Sequence, residues 1–317
     1  MNLLDKPTLV LTDDQTLALL EVKEELEKYF FVKIYDPDTD YDTCSTLIVI
    51  NSVRKSEYYQ QILNSNIKIV VDSLCEPGHS YQQIYPDLDN PLVLENRNWF
   101  WYSESFNCLR DSAKWNYVPD KTYQYLSFMP MNIRRPHRDQ LVEIMEPFLD
   151  SFIWSYVDHP LYRKQLPNDK KLDYGYLSDD RHFDPTWYNQ TCFSLVAESA
   201  VELPTQSVFV TEKTFKPIAF RHPFMIFGLP FTLKYLRSQG FETYENLFDE
   251  SYDLEIDTLT RLEILKDNVK NYNNVPYDIV TQQKIEHNYN HFFNTELIKQ
   301  CIRAELCEPL IDYVETR

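Results

Sequence analysis

The chain has 317 residues, 43% apolar and 25% charged, which describes a globular protein long enough for two cores and excludes a disordered one. Its net charge of −18 repels nucleic-acid backbone and anionic lipid, so general affinity for either is not expected. The only glycines, Gly78, Gly175, Gly228 and Gly240, form no cluster that could cradle a phosphate, which counts against ATP-dependent phosphoryl transfer and ordinary nicotinamide chemistry.

Apolar runs of strand length alternate with helix-period segments along the first third. Residues 8–11 predict a buried strand, Asp13 and Asp14 a cap, and residues 15–29 a helix. Strands are expected at 31–35, 46–50 and 67–71, with a helix at 56–64. Weaker strands at 92–94 and 99–101 follow, then a helix over 103–108. Buried strands alternating with amphipathic helices imply a parallel sheet covered on both faces. The segment 114–121, KWNYVPDK, reads as a linker.

The alternation then restarts with a strand at 123–128, a loop at 129–135 and a helix from Pro136 to residue 149. Residues 151–190, rich in Tyr, Asp and Pro, read as irregular or partly helical. A strand at 191–196, a helix from Glu212 to Phe220, a strand at 223–228 and a helix at 230–238 complete the second pattern. The tail is helical over 258–271 and 281–314. The expected fold class is α/β: two Rossmann-like domains facing a cleft, the GT-B architecture, with C-terminal helices. The domains are placed at 1–117 and 118–280, and a helical segment at 281–317. Such folds take ligands at the carboxyl ends of their strands.

The most informative stretch is residues 192–228, CFSLVAESAVELPTQSVFVTEKTFKPIAFRHPFMIFG. A strand delivers Glu198 and Ser199 to its carboxyl end, and a loop leads into a helix whose first turn holds Glu212 and Lys213. Backbone N–H groups at a helix start favour an anion, and Lys213 adds a full positive charge. Glu212, an acceptor-only carboxylate, suits vicinal ribose or sugar hydroxyls. Gly228 ends the next strand, where backbone can approach a ligand closely. An isolated Thr-Glu-Lys is more often a helix cap with a surface ion pair. The order strand, Glu, loop, Thr-Glu-Lys, helix, Pro, strand is what lifts it above that reading.

This segment resembles the donor-binding motif of the α1,3-fucosyltransferases, in which a Glu-Asn-Ser strand end precedes a Tyr-Val-Thr-Glu-Lys turn and a Val-Pro-Ile strand. The corresponding stretches are Glu198-Ser199-Ala200, Phe209-Val210-Thr211-Glu212-Lys213 and His222-Pro223-Phe224. The resemblance implies that Glu212 and Lys213 contact the ribose and phosphates of a GDP-sugar, with Glu198, Ser199 and Phe209 at the nucleotide. Ser199 stands where the family has Asn and Phe209 where it has Tyr, which leaves base and sugar open. Similar segments occur in phage-encoded glycosyltransferases. Residues 125–145, YLSFMPMNIRRPHRDQLVEIM, resemble the start of the same family's donor domain, where an Arg opening a helix reaches the diphosphate. Arg138 matches it best.

Arg134, Arg135, His137 and Arg138 form the densest positive cluster of the chain. The planar guanidinium fork suits phosphate, and cations at a helix N-terminus oppose the dipole. The plain alternative is a solvated helix start balanced by Glu143 and Glu146. Arg135 and Arg138 are expected at the donor. Sugar transfer also needs a base for the acceptor hydroxyl. The resemblance points to a carboxylate after a strand of the first domain: Glu76 in SLCEPG first, Asp72 second, Glu95 third. Each is also readable as a cap or a solvated acid.

Asp36-x-Asp38 and Asp87-x-Asp89 have the spacing of a metal-bound diphosphate site but read as turns, given the neighbouring prolines. The acidic run 249–257, DESYDLEID, reads as a solvated loop and helix entry, with Tyr252 or Asp253 as further candidates to face the donor. No metal or other cofactor is expected. Six scattered cysteines, a first segment too short and acidic for a signal peptide, and no apolar run of membrane-spanning length predict a cytoplasmic protein, in the host cytoplasm if phage-encoded. The leading expectation is an inverting, metal-independent glycosyltransferase moving a sugar from a GDP-sugar, fucose among the candidates, to a hydroxyl of a glycan or other acceptor, with no nucleic-acid or membrane partner. The alternatives are a non-catalytic relative that keeps nucleotide or glycan affinity, and a structural or interaction protein.

Overall fold

The computed structural model describes residues 6–12, 22–51, 57–73, 81–89, 91–95, 98–110, 118–131, 133–157, 159–161, 186–202, 208–273 and 275–316. Contacts along the chain divide it into two compact units, Met1–Ser103 with Thr295–Arg317, and Glu104–Asn294. The first boundary falls at 103/104 where 117/118 was expected, and the last helices, from Thr295, return to the first unit instead of standing apart from 281. Lys68 Nζ donates to the Tyr313 carbonyl, and the Tyr102 hydroxyl donates to Glu305 Oε2 at 2.8 Å.

The first unit carries β1 (Thr8–Leu11), α1 (Lys23–Leu26), β2 (Phe31–Ile34), β3 (Thr46–Asn51), α2 (Tyr59–Asn64), β4 (Lys68–Ser73), α3 (Tyr81–Ile84), β5 (Leu92–Glu95) and the start of α4 (Trp99–Arg110). All of its strands are parallel, in the order β2-β1-β3-β4-β5. Unbroken Val/Ile/Leu runs form the central strands because both faces are covered. Leu9, Val10, Ile48, Val49 and Val70 are fully buried, and Val10, Ile48, Ile50 and Val71 pack against Tyr59 and Ile62 of α2. The expected strand at 99–101 is instead the first turn of α4. Its buried Trp101, Ser105 and Cys108 repeat with helical spacing, a period that three alternating residues could not reveal. The Asp13–Asp14 cap and most of the expected helix at 15–29 lie outside the described residues. Asp36-x-Asp38 is the turn expected, with Asp36 Oδ1 accepting from Asp38 N at 3.0 Å.

The second unit carries β6 (Tyr125–Met131), α5 (Pro136–Met145), a 3-10 turn (Glu146–Ser151), β7 (Phe152–Tyr156), α6 (Thr186–Gln190), β8 (Thr191–Ala197), α7 (Glu212–Ala219), β9 (Phe224–Phe227), α8 (Thr232–Ser238), α9 (Thr258–Asn271) and α10 (Ile279–Phe292). Its strands are also parallel, in the order β7-β6-β8-β9. α11 (Thr295–Ile302), a π-helical turn (Arg303–Cys307) and α12 (Glu308–Glu315) belong to the first unit. The fold is thus α/β with two parallel, Rossmann-like sheets and C-terminal helices. Among the described residues no helix is long and apolar enough to cross a membrane.

Two differences from the sequence reading matter for the site. Residues 152–156 form the edge strand β7, every residue of which is buried, where irregular chain was expected. The Tyr-, Asp- and Pro-rich residues around it masked a run of only five. β6 also continues through Pro130, where a loop was expected. It pairs with β8 only as far as Phe128–Ser194, so the missing N–H of Pro130 breaks no ladder bond on that side.

The acidic run is largely exposed and ends in Asp257, the N-cap of α9, as expected, but its centre is not a solvated loop. Residues Glu250–Asp253 form a 3-10 turn in which Tyr252 and Asp253 are buried. The Asp253 carboxylate accepts from Leu233 N at 2.7 Å and Lys234 N at 3.0 Å, capping α8. The Tyr252 hydroxyl accepts from Ile226 N at 3.3 Å. Both side chains are structural.

Candidate functional site

In the second sheet the connections leave β6 first to one side, to β7, and then to the other, to β8 and β9. Ligands in open parallel sheets lie outside the carboxyl ends of the strands at such a reversal. The ends in question are Met131 of β6 and Ala197 of β8. Arg135 and Arg138 lie at the start of α5, Glu198 and Ser199 follow the end of β8, and Glu212 and Lys213 open α7.

From the β6 side comes α5, with Arg135 as its N-cap in extended conformation (φ −142°, ψ 146°) and Pro136 in its first turn. Its basic residues divide by role. Arg134 is held by Asp139, through Nε at 3.0 Å and Nη2 at 2.9 Å. Arg138 is only 2% exposed and donates to the Ile133 carbonyl at 2.9 Å and to the Ala197 carbonyl at 3.2 Å, so it ties the loop after β6 to the end of β8. That is a clamp across the reversal point. Arg135 is exposed, and its guanidinium pairs with no carboxylate among the described residues. His137 Nε2 lies 3.0 Å from the Glu198 carbonyl. A carbonyl only accepts, so the Nε2–H tautomer is the one present. Burial, reinforced by the Arg138 and Arg135 cations, lowers the imidazole pKa to about 4 and keeps it neutral.

From the β8 side comes Glu198, fully buried and bonded on both carboxylate oxygens. Oε1 accepts from Thr211 N at 3.1 Å and the Thr214 hydroxyl at 2.7 Å. Oε2 accepts from the Thr211 hydroxyl at 2.6 Å and Ser199 N at 3.2 Å. Thr211 is the N-cap of α7, its hydroxyl oxygen accepting from Lys213 N at 3.4 Å. The carboxylate thus sits beneath a helix N-terminus, where the dipole favours it. This corrects two expectations. The start of α7 is capped from within rather than left with outward N–H groups, and Glu198 braces the turn rather than reaching for a ligand. Gly228 has the same explanation. A Cβ there would stand 3.4 Å from both Cβ and Cγ of Glu198 and 3.2 Å from Ile226, so the glycine makes room for Glu198.

The capped turn presents Glu212 and Lys213. Their side chains, 13% and 16% exposed, meet at 2.5 Å between Glu212 Oε1 and Lys213 Nζ. Ser199 is half-buried beside Glu198, whereas Phe209 is packed in the core at 7% exposure and offers no ring to a nucleotide. A cavity of about 20 Å³ lined by Phe128, Pro130, Ser194, Lys213, Lys216 and Pro217 lies behind the turn, with room for one water-sized group and not for a sugar.

Sequence reasoning missed Arg261. Buried at 2% exposure in the first turns of α9, it donates to the Gly228 carbonyl, to the Val201 carbonyl at 2.7 Å and to the Thr258 hydroxyl at 3.3 Å. Its guanidinium carbon lies 5.5 Å from the centre of the Phe227 ring. It fastens the end of β9 to the loop after β8. A cation close to a helix start was the signal used for Arg134–Arg138, and applied to residues 258–261 it would have found Arg261 too.

The base candidates belong to the first unit. Asp72 lies in β4, paired in register with Asn51 and Leu94, and Glu95 closes β5 opposite Ser73. Glu76 lies outside the described residues. Among the described residues no three His, Cys, Asp or Glu side chains gather as metal ligands.

No protein-family profile matches the chain, and no curated protein matches it in sequence. Among solved structures it is similar to an α1,3-fucosyltransferase with GDP, at 9% identity and TM-score 0.46, over 94% of each chain. It is also similar to an α1,3-fucosyltransferase at 11% identity and TM-score 0.37, over 94% of this chain and 93% of that one. An α1,3-fucosyltransferase with GDP-fucose gives 10% identity and TM-score 0.36, over 91% and 90%.

Proposed function

We propose that the second unit binds a nucleoside-diphosphate sugar at the β6–β8 reversal and that the protein is a glycosyltransferase. The observation that carries this reading is the Glu212–Lys213 pair, presented at the carboxyl end of the sheet by a turn that Glu198 braces from below. Glu212 accepts the ribose hydroxyls, the Lys213 ammonium faces the phosphates, and the exposed Arg135 supplies a second cation. Arg138, Glu198, His137 and Arg261 hold the loops and touch no substrate. Placing fixed positive charge where the diphosphate leaves is the main electrostatic demand of the reaction.

In the transfer the acceptor oxygen loses its proton to a carboxylate and attacks the anomeric carbon. The carbon–oxygen bond to the diphosphate breaks, with inversion and without a metal. Glu76 is the base assigned, with Asp72 and then Glu95 behind it. A GDP-sugar is the preferred donor, fucose among the candidate sugars, because of the likeness of residues 192–228 to the fucosyltransferase motif. The acceptor is a hydroxyl of a glycan or similar molecule.

The test is a screen of GDP-, UDP-, ADP- and CMP-sugars by thermal shift, followed by assay of nucleotide release with and without glycan acceptors. Ligand binding to the native state raises Tm. Stabilisation by one nucleotide class together with release supports the proposal. Stabilisation with neither transfer nor hydrolysis assigns a nucleotide-binding protein, and no stabilisation by any member rejects the site.

A further inference from the structure

β2 and β3 are parallel and flank β1, so the chain between them, residues 35–45, crosses one face of the first sheet. A crossover of this kind is usually a helix that fills the face it covers. Here it is irregular. Asp36 and Asp42 turn it by accepting from Asp38 N and Cys44 N, each at 3.0 Å. Between this segment and α2 lies an open pocket of about 380 Å³, a volume within the range of small-molecule sites.

Two kinds of group line it. Tyr35 and Tyr41 form a near-parallel pair, 20° between planes and 5.9 Å between centres, backed by Tyr58 at 5.2 Å from Tyr35. The Tyr41 hydroxyl accepts from Asp36 N at 2.9 Å, which fixes the ring to the turn. The second group is Asp38, Asp40 and Gln61, all exposed. Asp36 and Asp42 are occupied by Thr39 and Ser45 hydroxyls, at 2.7 Å and 2.6 Å, whereas Asp38, Asp40 and Gln61 side chains bond to nothing among the described residues. Among the described residues no cationic side chain lines the pocket.

These features select a ligand class. Two free carboxylates and a strongly acidic chain repel anions. Carboxylates only accept, so the ligand must donate, and the Gln61 amide both donates and accepts. A cation cage needs aromatic faces converging from several directions, whereas two rings stacked on one another leave the outer face of a single ring. A flat apolar face next to hydroxyl acceptors fits the C–H face and vicinal hydroxyls of a pyranose. We propose that this pocket is a saccharide-binding site, with a sugar ring against the outer face of the Tyr35–Tyr41 stack and its hydroxyls bonded to Asp38, Asp40 and Gln61. The site stands on the first unit alone and does not depend on the donor reading.

The test is saturation-transfer NMR and calorimetry on the full chain with methyl glucoside, galactoside and mannoside and the corresponding disaccharides, at up to millimolar concentration. Wild type binds at least one of them, and Asp38→Ala/Asp40→Ala weakens that binding about tenfold or more. Both residues are exposed, so the unfolding midpoint stays unchanged and so does any nucleotide affinity. Gln61→Ala gives a smaller loss in the same direction. Absence of binding to every member overturns the proposal, as does equal binding by the double variant. Tetramethylammonium binding in place of sugars assigns a cation site and also overturns it.

Discussion

Glu198 holds Thr211 twice, Oε1 accepting its backbone N–H at 3.1 Å and Oε2 its hydroxyl at 2.6 Å. Residues thirteen apart are thereby locked across the loop between β8 and α7. The turn that carries Glu212 and Lys213 is set by a fully buried carboxylate. In Glu198→Gln one acceptor oxygen becomes a donor facing other donors. The variant is expected to lose about 3 kcal/mol of stability, read as a lower urea midpoint. An unchanged midpoint would show that the turn does not need the carboxylate.

Gly228→Ala tests the same brace from the other side. The added methyl meets Ile226 and Glu198 at 3.2–3.4 Å, so one of them must shift. Overpacking of this kind costs about 1–3 kcal/mol. Nucleotide affinity should fall with it, because Glu198 moves and carries Thr211 along. Calorimetry that finds full affinity in a destabilised variant would separate the brace from the site.

The two arginines of α5 should separate cleanly. Arg138→Ala leaves the Ile133 and Ala197 carbonyls without their donor, at a cost of about 3 kcal/mol in stability. Arg135→Ala removes an exposed side chain and should change stability by less than about 0.5 kcal/mol. It should nevertheless weaken nucleoside-diphosphate binding about tenfold. Paired unfolding and titration experiments read both quantities. The opposite pattern would return the diphosphate contact to Arg138.

His137 gives a pH signature. Its folded pKa of about 4 lies below the ordinary value of 6.5, so the unfolded chain takes up the proton first. The contribution is therefore fully present above pH 6.5 and is lost as pH falls towards 4, amounting to at most about 3 kcal/mol. His222 and His291 are shifted the same way by burial, and Asp253 and Glu250 in the opposite sense for stability. Comparison with His137→Gln isolates the one residue. Stability of the variant should fall less steeply between pH 6.5 and 4, and parallel curves would contradict the assignment.

Much of the fold was legible because its strands are unbroken apolar runs and its later helices are well capped. Asp257 accepts from Thr260 N at 2.8 Å, and α9 runs over Thr258–Asn271 as its pattern indicates. The site was legible as a set of residues but not as a set of roles. Nothing in the spacing of Glu198 and Thr211 says that the carboxylate turns inward, since a loop has no period. Charge density marked Arg134, Arg135 and Arg138 alike, and only burial and partners separate the clamp from the exposed cation. Asp253 hid in an acidic run because capping of α8 depends on a contact twenty residues back along the chain.

The most direct measurement is calorimetric titration of GDP, and of the nucleotide selected by the screen, into wild type and Lys213→Ala. Lys213 is 16% exposed with its ammonium paired to Glu212, while the cap bond runs through its backbone N–H and survives the substitution. Binding by wild type, with affinity lowered about tenfold to a hundredfold in a variant that remains folded, is the expected result. Equal affinity in the two proteins, or no nucleoside diphosphate bound by wild type, would contradict the placement of the donor at this turn.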